Sequence, residues 1–124
     1  MQITKEKKNN ITVLKLGAEI VNDRATGEIE LDIDNTYMFT EAIEAEVGQG
    51  QTNFIVDLTN MSYIDSSGLG AIFDSYKLVT EKSGNIVLLN PSSDVRRVLD
   101  ITQISKKVKV FSEESDALSS FQEN

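Results

Sequence analysis

The sequence has 124 residues and a formal net charge of −8, because 20 acidic side chains outnumber 12 basic ones. A chain of this length forms one domain, which we place at 1–124, with a modest hydrophobic core. Its negative charge argues against direct binding to nucleic acid, which requires clustered Lys and Arg. The chain has no His and no Cys, which excludes imidazole catalysis, thiol nucleophiles, disulfide bonds and cysteine-ligated metals.

The remaining composition is that of an ordinary globular protein, with 40% hydrophobic and 26% charged residues. The sequence shows neither the apolar segment of a secretion signal nor an apolar run long enough to span a bilayer. We therefore expect a cytoplasmic protein that does not insert into a membrane. We also expect no catalytic residue, no metal and no cofactor.

Strands and helices alternate along the chain. This order predicts an α/β fold, with a mixed, mainly parallel β-sheet and helices packed on it. Residues 1–6 and 11–16 alternate apolar and polar side chains, and the polar run 7–10 lies between them. This pattern predicts an N-terminal β-hairpin with its turn at 7–10.

A first helix is predicted from Asn35 to about Val47, capped by Asp34-Asn35. Its expected apolar face consists of Met38, Ala42, Ile43 and 45–47. The later elements are a strand at 53–58, a helix that begins near Ser66 and ends at 82–84, a strand at 86–89, a helix capped by Ser92 or Ser93, a strand at 108–111 and a final helix capped by Ser112 or Ser115.

Two hydroxyl groups stand where a strand and loop give way to a helix. Apolar side chains recur at helical spacing after them, at Leu69, Ile72, Phe73, Tyr76 and Val79. Ser66 and Ser67 therefore fall in the first turn, where backbone N–H groups lack partners and the helix dipole favours negative charge. This position suits a phosphorylated serine, or simply a helix cap supplied by Asp65 or a serine. The residues alone leave both interpretations open.

The residues around the two serines also have alternative interpretations. Gly68 and Gly70 either keep the turn low, so that a second protein's active site can approach, or permit close packing of the helix on the sheet. Met61 and Ile64 either form an exposed docking rim or belong to the core, which their residue type favours. Tyr63 is the expected outward contact.

The stretch Asp57–Gly70 resembles the signature of the STAS domain family, in particular that of bacterial anti-sigma-factor antagonists. The resemblance continues through Tyr76-Lys77, the turn at Gly84, the strand 86–89 and the stretch Pro91–Leu99. It spans roughly residues 35 to 121. This resemblance implies a single STAS-like domain.

The resemblance also implies a phosphorylation switch. In the family, the serine directly after the Asp is phosphorylated by an anti-sigma factor that is also a serine kinase. Only the unphosphorylated form captures this kinase and frees a sigma factor. By position the acceptor is Ser66, with Ser67 as the second choice, and a serine phosphatase is a further expected partner. The expected partner-binding residues are Tyr63, Asp65, Ser66, Ser67, Gly68 and Leu69.

One region departs from the family pattern. Between the strand ending near Leu16 and the helix starting near Asn35 the family has a brief turn, whereas this chain carries an insert at about 17–33. Alternating apolar positions predict a hairpin with its turn at 22–27. This acidic flap either selects a particular kinase, adds an edge strand beside the switch, or is a tolerated surface excursion.

Two other functions remain open from the sequence. The first is a STAS-like interaction subunit of a lipid- or anion-transport assembly that is not phosphorylated. The second is a ligand-binding or enzymatic domain that uses the helix N-terminus as an anion site. Arg96 and Arg97 are either phosphate ligands or the solvated basic face of their helix. Asp57 and Asp65 are not expected to form a catalytic carboxylate pair, because no other group converges on them.

Overall fold

The computed structural model describes residues 1–122, which form a single α/β domain; residues 123 and 124 lie outside the described residues. In chain order the elements are β1 (Gln2–Lys8), β2 (Ile11–Gly17), β3 (Glu19–Val21), β4 (Arg24–Thr26), β5 (Ile29–Leu31), α1 (Thr36–Gly48), β6 (Asn53–Asp57), β7 (Met61–Ile64), α2 (Ser66–Glu81), β8 (Asn85–Leu89), α3 (Ser93–Ile101), a short 3-10 turn (Ile104–Lys106), β9 (Val110–Phe111) and α4 (Glu114–Ser119). Within residues 1–122, no helix is long and apolar enough to cross a bilayer.

The main sheet has five strands in the order β1-β2-β6-β8-β9. Strand β1 is antiparallel to β2, and all other neighbours in this sheet are parallel. The mixed, mainly parallel sheet and the N-terminal hairpin are therefore confirmed. The hairpin turn is shorter than the predicted 7–10, because Lys7 and Lys8 still pair with Thr12 and Ile11 and leave only residues 9–10 in the turn.

The core lies on both faces of this sheet, since successive strand side chains point to opposite sides. Helices α1, α2 and α3 cover one face, where Phe39, Phe54 and Ile72 are fully buried. The smaller cluster on the other face contains Ile55 and is covered by α4. Each fully buried large side chain contributes about 1.5–3 kcal/mol of transfer free energy.

The buried face of α1 differs from the predicted one. It is formed by Phe39, Ile43 and Glu46, whereas Ala45 is exposed. This spacing of four and then three residues is one helical stripe, and Ala45 lies outside it. Asn35 precedes the helix, but its side chain does not cap it. Its amide group instead accepts a hydrogen bond from the backbone N–H of Asp32 (3.0 Å) and donates one to the carbonyl of residue 30 (2.7 Å).

The end of α2 needs two unusual backbone positions. Ser83 adopts the left-handed conformation, with φ of 66°. A Cβ atom on Gly84 would lie 1.9 Å from the carbonyl oxygen of Thr52, so Gly84 permits a close approach of two backbones. The predicted helix terminus at 82–84 is confirmed, although the left-handed residue is the serine.

The C-terminal elements differ from the predicted ones in their caps and in the length of the last strand. Ser92, rather than Ser93, caps α3, because its hydroxyl accepts a hydrogen bond from the N–H of Val95 (3.2 Å). Strand β9 contains only Val110–Phe111 of the predicted 108–111. Glu113 directly precedes helix α4, and no side chain caps the helix there. The predicted capping by Ser112 or Ser115 is therefore wrong.

Candidate functional site

Asp65 joins the start of α2 to the end of β5. Its carboxylate accepts a hydrogen bond from the N–H of Gly68 (2.9 Å), which caps the helix, and another from the N–H of Ile33 (3.2 Å). Its own N–H donates to the carbonyl of Leu31 (3.1 Å). The capping interpretation is thus right for Asp65, and each of its carboxylate oxygens accepts a hydrogen bond from a backbone N–H group.

The two serines follow this cap directly. Ser66 is the first residue of α2 and is exposed, whereas Ser67 is half-buried. Because Asp65 fills the capping position, the hydroxyl of Ser66 is not the cap. The site therefore presents a hydroxyl group to solvent at the positive end of a helix of 16 residues.

The two glycines of this turn have different surroundings. A Cβ atom on Gly68 would lie 2.7 Å from Cγ1 of Ile64 and 2.8 Å from the carbonyl oxygen of Leu31. A Cβ atom on Gly70 would have no atom within 4 Å. Close packing is therefore the right interpretation for Gly68, and an uncrowded surface is right for Gly70.

Strand β7 separates the apolar side chains before the serines into inward and outward ones. Met61 and Ile64 are 2% and 4% exposed and belong to the core. Tyr63 is 53% exposed, opposite Glu30 of the parallel strand β5. The exposed-rim interpretation is wrong for Met61 and Ile64, and Tyr63 points outward as predicted.

The insert at 17–33 contains the predicted hairpin, formed by β3 and β4. Its turn is only Asn22-Asp23, both with positive φ, because residues 24–26 already pair with β3. The amide of Asn60 fixes the hairpin to the domain by donating to the carbonyls of Leu16 (2.9 Å) and Ala25 (3.2 Å). The end of the insert pairs with β7 as β5, and residues 31–33 contact Asp65.

A groove of about 490 Å³ opens on the other side of Ser66, between α2 and the chain that follows α3. We call it the Ser66 groove; its lining residues are Ser66, Leu69, Gly70, Phe73, Thr102, Gln103, Ile104, Lys106 and Lys107. Phe73, which the sequence places on the core face, is half-buried and lines this groove. The groove was not predicted from the sequence, although the lack of acidic residues near Lys106 and Lys107 was a signal for it.

The charged groups of α3 pair mainly with one another. Asp100 accepts hydrogen bonds from the hydroxyl of Ser105 (2.6 Å) and from Nε of Arg96 (3.1 Å), and these two donors lower the pKa of the Asp100 carboxyl. Arg97 lies 3.4 Å from Asp94. This pairing favours a solvated, charged helix face over phosphate ligation by the two arginines.

Asp57 has a local structural role. Its carboxylate accepts hydrogen bonds from the N–H of Thr59 (2.9 Å) and from the Thr59 hydroxyl (2.5 Å). These contacts close the turn between β6 and β7. The carboxylate of Asp65 is held by Gly68 and Ile33 instead, so the two acids are engaged in separate contacts.

The chain matches the STAS domain over residues 2–117 and belongs to that family. An anti-sigma F factor antagonist from Paenibacillus polymyxa is 28% identical over 119 residues, which are 95% of this chain and 92% of that protein. The family predicted from Asp57–Gly70 is confirmed.

Two solved proteins show the same fold. The crystal structure of a candidate anti-sigma factor antagonist from Thermotoga maritima has a TM-score of 0.82 at 23% identity and covers 98% of this chain and 95% of that one. The anti-sigma factor antagonist SpoIIAA in its unphosphorylated form has a TM-score of 0.70 at 21% identity, with 99% and 100% covered. Its phosphorylated form, from Bacillus, has a TM-score of 0.66 at 23% identity, with 93% and 96% covered.

Proposed function

We propose that this chain is a cytoplasmic anti-sigma-factor antagonist controlled by phosphorylation of Ser66. The unmodified chain binds an anti-sigma factor that is also a serine kinase, and the bound anti-sigma factor releases its sigma factor. The observation that carries this proposal is the exposed hydroxyl of Ser66 at the start of α2, with the cap already supplied by Asp65. The relative from Paenibacillus polymyxa, named an anti-sigma F factor antagonist, supports the same function.

Ser66 is a better acceptor than Ser67 because of its exposure. A kinase must reach the hydroxyl with its nucleotide and its catalytic base, and Ser67 is half-buried while Ser66 is exposed. In the transfer, the Ser66 oxygen forms a bond to the γ-phosphorus of ATP and ADP leaves, while the base of the kinase takes the hydroxyl proton. This chain is the protein substrate in that step and supplies no catalytic group.

The switch is electrostatic exclusion. Phosphorylation adds about −1.5 to −2 charges next to the fixed carboxylate of Asp65. The partner surface that fits the neutral hydroxyl then meets a concentrated negative charge. A loss of about 3 kcal/mol of binding free energy lowers the affinity by roughly two orders of magnitude, which suffices for a switch. The domain does not need to refold, because the hydroxyl already lies on the surface.

The six predicted partner-binding residues differ in burial, and Asp65 and Ser67 are half-buried. Tyr63 and Ser66 are exposed and contact the partner directly in this proposal. Gly68 is buried and contributes by letting the first turn of α2 pack closely against β5. Leu69 is largely buried, and its remaining surface lines the Ser66 groove. A serine phosphatase that removes the phosphate from Ser66 resets the switch.

The experiment is an affinity purification from the source organism with five baits: the unmodified chain, Ser66→Ala, Ser66→Asp, and the matched controls Ser67→Ala and Ser67→Asp. We expect a serine kinase on every bait except Ser66→Asp. We also expect mass spectrometry to find phosphate on Ser66 in part of the bait that carries no substitution. Transport-assembly subunits on all baits, with Ser66 unmodified, would instead favour the interaction-subunit function. Turnover of a small anion by the isolated chain would favour the ligand-binding or enzymatic function.

A further inference from the structure

The Ser66 groove has an apolar floor that is open to solvent. Leu69, Phe73 and Ile104 line it, and the latter two are half-buried. Gly70 adds no side chain, and the position that its Cβ would take is empty to 4 Å. The groove therefore offers apolar surface that a side chain from another molecule can cover.

The far wall of the groove is basic. Residues 101–112 contain three lysines and no acidic side chain, in a chain whose net charge is −8. Lys106 and Lys107 line the groove and are exposed, and neither forms an ion pair within residues 1–122. On the opposite side of Ser66, residues 28–34 contain four acidic side chains and no basic one.

This wall is held in place by its own hydrogen bonds. Asp100 accepts from the hydroxyl of Ser105 (2.6 Å), and the N–H groups of Lys107 and Val108 both donate to the carbonyl of Ile104 (2.9 Å each). Val108 is fully buried behind the two lysines and anchors them to the core. The lysines are thus presented by an ordered turn.

We infer that the Ser66 groove docks a partner segment that combines acidic and apolar side chains. The apolar side chains cover Leu69, Phe73 and Ile104, and the acidic ones pair with Lys106 and Lys107. The charge of the wall selects this occupant, because a basic or neutral apolar segment would leave both lysines without a counter-charge. The inference deepens the proposed function, on which it rests, by naming the part of the anti-sigma factor that binds here.

This docking site also relates phosphorylation to release. Ser66 lines the same groove as Lys106 and Lys107. A phosphate on Ser66 therefore attracts the two lysines and competes with the acidic segment for them. Modification both adds repulsive charge and removes the cations that bind the partner.

The first test uses the purified full chain and synthetic peptides, so it does not depend on the identity of the partner. A short peptide of Glu and Leu is titrated against the labelled chain, with a peptide of Lys and Leu as the control, and backbone amide chemical shifts are followed by NMR. We expect shifts at residues 66–73 and 102–107 with the acidic peptide only. Equal shifts with both peptides, or none with the acidic one, would overturn the docking site whether or not the chain is an anti-sigma-factor antagonist.

The second test uses the anti-sigma factor recovered with the unmodified chain. We expect the double variant Lys106→Glu/Lys107→Glu to bind it at least about tenfold more weakly, because the charge of the wall is reversed. The matched variant Lys82→Glu/Lys109→Glu changes the net charge by the same amount, at exposed lysines that do not line the groove. It should change the affinity less than about twofold. Equal effects of the two variants would contradict a specific site.

The third test compares two substitutions of Gly70 that fill the groove to different extents. Gly70→Leu projects a side chain into the open space and should weaken binding at least about tenfold by competing with the partner for the groove. Gly70→Ala fills much less of this space and should weaken binding by a smaller factor than Gly70→Leu. Weak binding by Ser66→Asp with normal binding by Gly70→Leu would leave the phosphorylation switch intact and overturn the groove. Sedimentation that shows a dimer of the unmodified chain and a monomer of Gly70→Leu would assign the groove to a second copy and also overturn the inference.

Discussion

Ser66 lies between two regions that differ in packing and in charge. On the side of β5, the backbone of residues 31–33 is joined to Asp65 by hydrogen bonds, and Gly68 packs against Leu31 without room for a methyl group. On the side of the groove, Gly70 faces empty space and the wall carries Lys106 and Lys107. The first region is closed and acidic, and the second is open and basic.

This difference shows how the first turn of α2 can be held firmly by the domain and still be open to a partner. The closed side determines where the Ser66 hydroxyl lies, because Asp65 cannot move without losing bonds to both Gly68 and Ile33. The open side offers surface that a partner can cover. We therefore expect substitutions on the closed side to change mainly the stability, and substitutions on the open side to change mainly binding.

Gly68→Ala should cause the largest loss of stability in this comparison. The added methyl group would overlap Cγ1 of Ile64 and the carbonyl oxygen of Leu31, so we expect a loss of about 1–3 kcal/mol in the free energy of unfolding. Urea denaturation monitored by circular dichroism measures it. A stability equal to that of the unmodified chain would mean that the closed side is not tightly packed.

Asp65→Ala should be the next most destabilising change. It removes the cap of α2 and leaves the N–H groups of Gly68 and Ile33 without their acceptor, so we expect a loss of about 1–2 kcal/mol. Asp65→Asn keeps an acceptor oxygen at the cap and should recover part of this loss. If Asn is as destabilising as Ala in urea denaturation, the carboxylate charge rather than the hydrogen bonds holds the turn.

Glu46 offers a control away from both regions, because it is buried under Lys5 and Lys7 of β1. Hydrogen bonds from Lys5 and Lys7 lower the pKa of its carboxyl below the ordinary 4.5. The stabilisation of the folded state by these two ion pairs is therefore fully present above about pH 4.5. It is lost as the pH falls through the lowered pKa that Glu46 has in the folded state.

Glu46→Gln should cost about 1 kcal/mol at neutral pH, since it removes the charge from both pairs. It should also flatten the loss of stability in acid and leave partner binding unchanged. Denaturation from pH 7 down to acid, compared with the unmodified chain, measures both effects. An unchanged acid slope would assign the acid sensitivity to other carboxylates.

Gly70→Ala should have the smallest effect on stability and the opposite sign. Its methyl group meets no atom, so the gain in helix propensity is about 0.5–1 kcal/mol. The same denaturation experiment gives the value. A loss instead of a gain would show that the open side is more crowded than its geometry indicates.

The fold and the position of Ser66 in the first turn of α2 were predictable because their signals are local. The stretch Asp57–Gly70 identifies the family, and residue type alone separates buried Met61 and Ile64 from exposed Tyr63. The cap at Asp65 follows from its position before the first helical turn.

Features that depend on tertiary packing were not predictable. The phase of α1, which buries Phe39 and exposes Ala45, is set by how the helix meets the sheet. Lys106 and Lys107 line the same groove as Ser66 although they lie far from it in the sequence, and no periodic pattern indicates that arrangement. The start of α4 at Glu114 was missed because serine is a favoured cap but not a required one.

The most direct test of the central claim is a calorimetric titration of the anti-sigma factor with the Ser67→Ala chain, in its unphosphorylated form and after the anti-sigma factor has phosphorylated it with ATP. The Ser67→Ala background removes the second candidate acceptor, and mass spectrometry verifies the phosphate on Ser66. We predict an affinity about 100-fold lower for the phosphorylated chain, which corresponds to about 3 kcal/mol. Equal affinities of the two forms would contradict control by Ser66.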